Sequence, residues 1–426
     1  MSVLAWVSVA VFLGAYALIA TEKVHRVAAA LGGAGIMLLI HATDAEAAFF
    51  SEHSGIDWNV VFLLLGMMVI VGVLKQPGVF EYLAIWAAKR ARGRPFRLMG
   101  LLVGITAVAS ALLDNVTTVL LIAPVTFLVC ERRAVSPVPF LIAEAMASNI
   151  GGAATLVGDP PNIIIASRGG LTFNDFLVHM APMVIVLVVV FVGLCWLMFG
   201  RGFHHDHERA AEVMALDERE AIADRRLLWQ SLAVLGLVMA AFVLHPVLHY
   251  EPSVVALLGA GVLVAATRVT TEEAISEVEW PTLVFFAGLF VMVGALVETK
   301  VIEQISQAAV EATGGRLALA TMGLLGGSAV ISAVVDNIPY VATMSPIVAE
   351  LVEASGGEQV LWWALAFGAD LGGNATAVGA AANVVVLGMA ARNGTPISFW
   401  RFTKYGLIVT VVTVTLVAPY LWLRYL

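Results

Sequence analysis

The chain has 426 residues, 60% of them hydrophobic and 13% charged, with a formal net charge of −8 and a mean hydropathy of +0.93. A soluble domain carries about 25% charged residues, so lipid is the main solvent here and the net charge says nothing about a charged partner. The two cysteines, Cys130 and Cys195, exclude zinc ribbons, Cys-x-x-Cys motifs and a disulfide framework.

A span needs about 20 apolar residues at ~1.5 Å rise to cross a ~30 Å core. The N-terminus is apolar from its first residues and lacks a basic n-region and a cleavage site. It reads as a retained first span. Spans are predicted over 3–20, 27–41, 59–74, an interrupted 139–167, and 177–199. The second half offers 228–248, 253–267, 281–297, an interrupted 361–391, and 405–423, which makes ten. Two further stretches, 97–131 and 317–352, are apolar but split at their centres by Asp-Asn into arms of roughly 16 residues, or ~24 Å as helix. Lys89, Arg90, Arg92, Arg94 and Arg97 precede the first, and Arg132 and Arg133 follow it. Positive charge at both ends places both on the cytoplasmic face, so the segment is a predicted re-entrant hairpin with Asp114-Asn115 at its tip. Two ordinary spans joined by an outside turn are the competing reading.

The polar stretch 200–227, with Arg201, Arg209, Arg219, Arg225 and Arg226, then becomes a cytoplasmic linker. Its His204-His205-Asp206-His207 reads as solvated linker rather than a metal site. The linker divides a first half, 1–199, from a second, 228–426. Ser110-Ala111-Leu112-Leu113-Asp114-Asn115, leading to Pro124, returns as Ser332-Ala333-Val334-Val335-Asp336-Asn337, leading to Pro346. The same offset aligns Trp58 with Trp280, Gly66 with Gly288, Gly72 with Gly294 and Glu81 with Glu303. One residue shorter, it aligns Gly151-Gly152, Thr155, Gly158 and Asn162 with Gly372-Gly373, Thr376, Gly379 and Asn383. An odd number of crossings separates the copies, so the halves are inverted and the second hairpin opens outside. The predicted fold is an all-α polytopic membrane protein: an inverted structural repeat of about ten transmembrane helices, two re-entrant helical hairpins and two broken helices. Short amphipathic pieces at 78–92, 300–313, 172–176 and 397–402 are predicted collars, with Phe173, Phe176, Phe399, Trp400 and Phe402 at the interface.

Carboxylates and amides inside apolar sequence are costly in a bilayer and mark an ion or substrate path. Four interruptions converge as a candidate substrate and ion site. The tips bring Asp114, Asn115, Thr117 and Thr118, then Asp336, Asn337 and Thr343. The broken spans bring Asn149, Gly151, Gly152, Thr155, Asp159 and Asn162, then Asp370, Gly372, Gly373, Asn374, Thr376 and Asn383. Glycines permit unwound backbone, and Pro160-Pro161 stops a helix. Unwinding exposes carbonyls and amides of opposite dipole sign, able to hold a small ion or a polar neutral molecule. Windows 106–130, 145–167, 328–346 and 364–391 hold no Lys or Arg. Anionic substrates are therefore disfavoured, neutral hydroxylated solutes or cations fit better, and a buried Asp is a plausible proton carrier.

At Ser110 to Pro124, at Asn149 to Asn162 with its Gly158-Asp159-Pro160-Pro161-Asn162 phrase, and at Asp336 to Met344, the chain resembles a known family. This is the arsenite efflux permease (ArsB) and P-protein branch of the ion transporter superfamily, with special similarity to actinobacterial arsenical pump membrane proteins. The resemblance implies a homodimer, each subunit with a scaffold and a mobile part that carries the hairpins. Sodium–dicarboxylate carriers of the superfamily bind Na⁺ with Ser-Asn-Thr at each tip. Asp114-Asn115-Val116 and Asp336-Asn337-Ile338 stand there instead, which argues against that chemistry.

The expected function is secondary active transport by alternating access of the elevator type: proton-coupled efflux of arsenite or antimonite across the cell membrane. Arsenous acid is neutral at pH 7, and two cysteines cannot form a three-thiolate site. The alternatives are a Na⁺/H⁺ antiporter using Asp114 and Asp336, and a sodium-coupled organic anion importer. No cofactor is expected beyond H⁺ or Na⁺ as coupling ion. The expected partners are the bilayer and a small inorganic or polar solute, and not nucleic acid. The chain has no phosphate-binding Gly-x-x-x-x-Gly-Lys-Ser/Thr loop, which leaves open only a separate ATPase subunit. Neither a nucleophile–base pair nor a metal cluster suggests an enzyme.

Overall fold

In the computed structural model the described residues, all but 1, 22–23, 93, 134 and 201–217, form helices joined by short connections, with no strand among them. The first half comprises α1 (Val3–Ala20), α2 (Arg26–Leu39), α3 (Ala45–Phe50), α4 (Trp58–Lys75), α5 (Val79–Arg90), α6 (Pro95–Leu112), α7 (Asn115–Arg132), α8 (Val138–Gly152), α9 (Pro160–Gly169), α10 (Phe173–His179) and α11 (Ala181–Phe199). The second comprises α12 (Arg225–Val243), α13 (His245–Leu248), α14 (Pro252–Ala266), α15 (Thr271–Ser276), α16 (Trp280–Glu298), α17 (Val301–Thr313), α18 (Leu317–Ser332), α19 (Asn337–Ala354), α20 (Val360–Gly372), α21 (Ala381–Arg392) and α22 (Phe399–Tyr425). Arg201, Arg209 and the His204-His205-Asp206-His207 stretch lie outside the described residues. The linker then continues as a 3-10 turn, Glu218–Ala221, whose Glu218 pairs with Lys89 of α5.

Side-chain caps start several of the spans. Ser2, Asp57 and Asp224 accept backbone N–H groups of α1, α4 and α12, satisfying donors that a helix start leaves open. Among the described residues seven helices are long and apolar enough to cross a membrane, namely α4, α6, α7, α11, α12, α16 and α22, and α17 meets α18 at a bend of 117°. The predicted interrupted spans resolve into α8 with α9 and α20 with α21, where neither partner reaches that length. The remaining predicted spans correspond to the shorter apolar helices α1, α2 and α14.

Close glycine contacts make the repeat visible in the packing. A Cβ on Gly66 of α4 would lie 2.6 Å from the Ala256 carbonyl carbon in α14, and one on Gly288 of α16 would lie 2.9 Å from that of Ala30 in α2. The same crossing is thus built twice with the halves exchanged. Each broken helix also leans on a hairpin arm of its own half. Ser110 Oγ donates to the Ser148 carbonyl at 2.7 Å, as Ser332 Oγ does to that of Ala369 at 2.7 Å. α8 and α20 are buried on nearly every side, with Glu144, Ser148, Asn149 and Asp370 buried among their apolar residues. Ile185 and Val189 of α11 and Leu237 of α12 instead stand exposed, as residues facing lipid do.

The aromatic collar needs correction. Phe399 and Trp400 are exposed, but Phe173, Phe176 and Phe402 are buried. Phe173 packs on Phe242 at 5.7 Å and Phe176 on Trp363 at 5.3 Å between ring centres, so α10 docks α12 and α20 through these rings.

Candidate ion and solute site

Each hairpin turns at a capping aspartate. Asp114 Oδ1 accepts from the Thr117 N–H at 2.7 Å, and Asp336 Oδ1 from the Ile338 N–H at 3.1 Å. The next residue, Asn115 or Asn337, points into the protein and is buried. Thr117 is half-buried. Thr118 is buried with its hydroxyl unpartnered. Thr343 Oγ1 donates at 2.8 Å to the Pro339 carbonyl of its own helix.

The two breaks are held alike. Thr155 Oγ1 donates to the Ala111 carbonyl at 2.6 Å, and Thr376 Oγ1 to that of Ala333 at 2.6 Å, fastening each break to the adjacent tip. Asn162 Nδ2 donates to the carbonyls of Thr155 (3.0 Å) and Gly152 (3.3 Å), and Asn383 Nδ2 to those of Thr376 (2.9 Å) and Gly373 (2.8 Å). These amides satisfy carbonyls that unwinding would strand in the membrane. Gly151 and Gly372 permit close approach: a Cβ there would sit 2.3 Å from the Ala107 oxygen and 2.6 Å from the Ala329 oxygen. Gly152 and Gly373 similarly face the carbonyls of Gly158 and Gly379 across each break.

At the centre the halves interlock. Asn115 Nδ2 donates to Asp159 Oδ2 at 2.9 Å and to Asn149 Oδ1 at 3.0 Å. Asn337 Nδ2 reaches Asp159 Oδ2 from the other half at 3.3 Å. Asn149 Nδ2 donates to Asn374 Oδ1 (3.0 Å) and Asn383 Oδ1 (3.1 Å). Asp370 lies beside Asn162, yet neither Asp370 oxygen nor Asn162 Oδ1 has a hydrogen-bond partner. Asp159 is within electrostatic reach of Asp370, Asp336 and Asp114. Asp159 and Asp370 are fully buried, and neither is paired with a cation among the described residues.

Here the repeat is deliberately unequal. Asn149 corresponds to Asp370, and Asp159 to Ala380, by the alignment of the breaks. The backbones still match, with φ −143° and ψ 133° at Asp159 and φ −146° and ψ 146° at Ala380.

Asp114 and Asp336 face a cavity of about 460 Å³ between the tips. Its walls are mostly apolar, from α4, α9 and α21, but they include His25, Arg26, Glu279 and Thr282, which sequence reasoning missed. Arg26 Nη2 donates to Thr282 Oγ1 at 3.1 Å and sits 5.5 Å above the Phe285 ring, and Thr282 Oγ1 donates to Glu279 Oε2 at 3.1 Å. The charge balance drawn from the four windows therefore leaves out the cavity, where the guanidinium of Arg26, the first residue of α2, enters. A signal was available in Arg26 and Glu279 standing at the starts of two apolar stretches, α2 and α16.

A family model described as a citrate transporter, CitMHS, matches residues 16–368. An uncharacterized transporter of Mycobacterium tuberculosis is 58% identical, with 98% of each chain covered. The 46 kDa membrane protein of Mycobacterium leprae is 56% identical over 99% of each. Human P protein is 33% identical over 97% of this chain and 59% of its own length. The solved YdaH transporter of Alcanivorax borkumensis, described as having an unusual topology, is similar with a TM-score of 0.56. It covers 85% of this chain and 84% of its own at 14% identity, a likeness of fold alone.

Proposed function

We propose a coupling mechanism for this chain, which belongs to the CitMHS citrate transporter family and is a multi-pass membrane transporter, not an enzyme. In it, the Asp159–Asp370 pair carries the coupling proton, and the cavity between Asp114 and Asp336 takes the solute. The observation that carries this reading is the unpartnered set of acceptors at Asp370 and Asn162. A buried carboxylate with neither a counter-charge nor a hydrogen-bond donor costs several kcal/mol. One proton on Asp370 removes that charge and turns one of its acceptors into a donor. Loss of that proton leaves charge at the contact between the tips and breaks, and so biases the hairpins toward another position.

With the basic connections 21–26, 75–97 and 200–227 placed inside by their positive charge, and 42–57 outside, each later connection takes its face from the order of the spans, and contacts between connections support that assignment. Arg26–Thr282, Lys75–Glu277 and Lys89–Glu218 join segments assigned inside. Ser54–Glu298, Ser167–Asp57 and the Asn174 side chain with the Val243 carbonyl join segments assigned outside. With exposed His25 and half-buried Arg26 and Glu279 among its walls, the cavity is read as open to the cytoplasm, the loading state of an exporter.

For the solute, a neutral hydroxylated molecule such as arsenous or antimonous acid suits walls that carry Asp114, Asp336 and Glu279 against Arg26. Arg26 and the family's description favour a second reading, an organic anion held by the guanidinium. Purified protein in liposomes with an imposed pH gradient tests both, using arsenite, citrate and Na⁺. Arsenite movement driven by the gradient without Na⁺ is expected. Citrate uptake that needs Na⁺, with arsenite immobile, would replace proton-coupled export by sodium-coupled anion import.

A further inference from the structure

A second buried carboxyl lies outside this site. Glu144, on α8, is 1% exposed. Thr126 Oγ1 of α7 donates to its Oε1 at 2.5 Å, while Oε2 has no partner. One turn along α7 from Thr126, Cys130 is within electrostatic reach of both Glu144 and Arg133. Arg133 closes α7, is 6% exposed and leaves Nη1 unpartnered. Polar groups therefore line the α7–α8 seam from its arginine end inward. Five residues beyond Glu144 on α8, about 7 Å of helix rise, Asn149 enters the network that includes Asp159. Thr118 adds an unpartnered buried hydroxyl on α7 toward the tip.

The inverted repeat supplies a control within the molecule. At the equivalent places in the second half stand Val348 for Thr126, Val352 for Cys130, Ser355 for Arg133 and Leu365 for Glu144. Val348 and Leu365 are fully buried, so the same helix crossing packs well with hydrocarbon. The fold does not require a carboxyl there. An acid inside a membrane helix is costly and marks a functional path, and this one occurs only in the seam that ends at Arg132 and Arg133.

We propose that Glu144 is a proton relay between the Asp159–Asp370 pair and the cytoplasmic face. The inference rests on the proton-coupled reading above. In the export direction a proton leaves the aspartate pair as Glu144 gains it, and Glu144 then releases it to water at the arginine end. No other bond changes. From α7 the groups facing Glu144 are Thr126, Cys130 and, beyond Cys130, Arg133. Among the described residues α6, α11, α20 and α21, which also pack on α8, bring no charged group into electrostatic reach of it.

The test compares wild type with Glu144→Gln, which keeps an acceptor for Thr126, and Glu144→Leu, which copies the second half. In liposomes, Glu144→Gln is expected to lower arsenite transport driven by a pH gradient by at least about tenfold. Arsenite exchange at equal pH on both sides should stay within about twofold, because exchange moves no net proton. Infrared spectra of the purified protein across pH should lose one protonated-carboxyl band in both variants. Wild-type gradient-driven rates and pH profile in Glu144→Gln would overturn the relay and leave Glu144 as packing. An unchanged carboxyl band would overturn it as well, and this readout needs no substrate. A wild type that ignores the pH gradient for both arsenite and citrate would instead defeat the proton-coupled reading, and the relay with it.

Discussion

Gly151→Ala places a methyl carbon 2.3 Å from the Ala107 carbonyl oxygen, 2.5 Å from its Cα and 2.7 Å from its carbonyl carbon. Ordinary contact begins near 3.4 Å, so α6 and α8 must separate by roughly 1 Å, because main chain cannot rotate away as a side chain can. That separation stretches the Ser110–Ser148 and Thr155–Ala111 bonds, now 2.7 and 2.6 Å, beyond hydrogen-bonding range. Overpacking costs about 1–3 kcal/mol and each lost bond about 1 kcal/mol, for a total of about 3–5 kcal/mol. The hairpin tip also moves off Asp159. Gly104→Ala is the matched control: it lies on the same α6 with nothing within 4 Å of the added carbon. Thermal unfolding of detergent-purified protein should show Gly151→Ala melting several degrees below wild type, with Gly104→Ala unchanged and transport lost only in the former. Equal melting temperatures for the two variants would refute the claim that this glycine exists for close approach.

Gly372→Ala should behave like Gly151→Ala but more mildly, since its added carbon meets the Ala329 oxygen at 2.6 Å. Asp114→Asn and Asp336→Asn should fold, because asparagine caps helices about as well as aspartate, yet lose coupled transport. Near-wild-type rates in both would remove the tips from the mechanism. Single cysteines at positions 97 and 132, in a background lacking Cys130 and Cys195, should react with impermeant reagent from the cytoplasmic side, and those at 316 and 352 from outside. Labelling of 97 and 132 from opposite sides would turn the first hairpin into two full spans. Changing both Cys130 and Cys195, free and buried thiols, to Ala should retain arsenite transport with modest loss of stability. A stable double variant that no longer moves arsenite would favour capture by sulfur.

The hairpins and breaks were legible because a bilayer punishes unpaired polar groups so strongly that Asp-Asn and Gly-Gly inside apolar runs stand out. Their repetition carried the rest, since paired interruptions point to one shared site. What each residue does there was less visible. Thr155, Thr376, Asn162 and Asn383 spend their donors on backbone carbonyls, a role that only the unwound geometry defines. Arg26 and Glu279 were missed because the charge balance was taken within four sequence windows, whereas the cavity collects residues from connections remote along the chain. Phe173 and Phe176 misled because an aromatic at a span's edge has the same sequence signature whether it meets headgroups or a neighbouring helix.

The exchange of acid and amide between the halves bears on how such a protein can arise and be divided. A pair of identical first halves would bring two copies of Asp159 and no Asp370, and identical second halves the reverse. The amide of Asn149 also needs acceptors at Asn374 and Asn383; the first half has Asn162 at the place of Asn383 but Ala153 at that of Asn374. The two halves, whatever duplication produced them, are therefore no longer interchangeable. Severed within the linker, each fragment should require the other, and two copies of one fragment should not substitute for the pair.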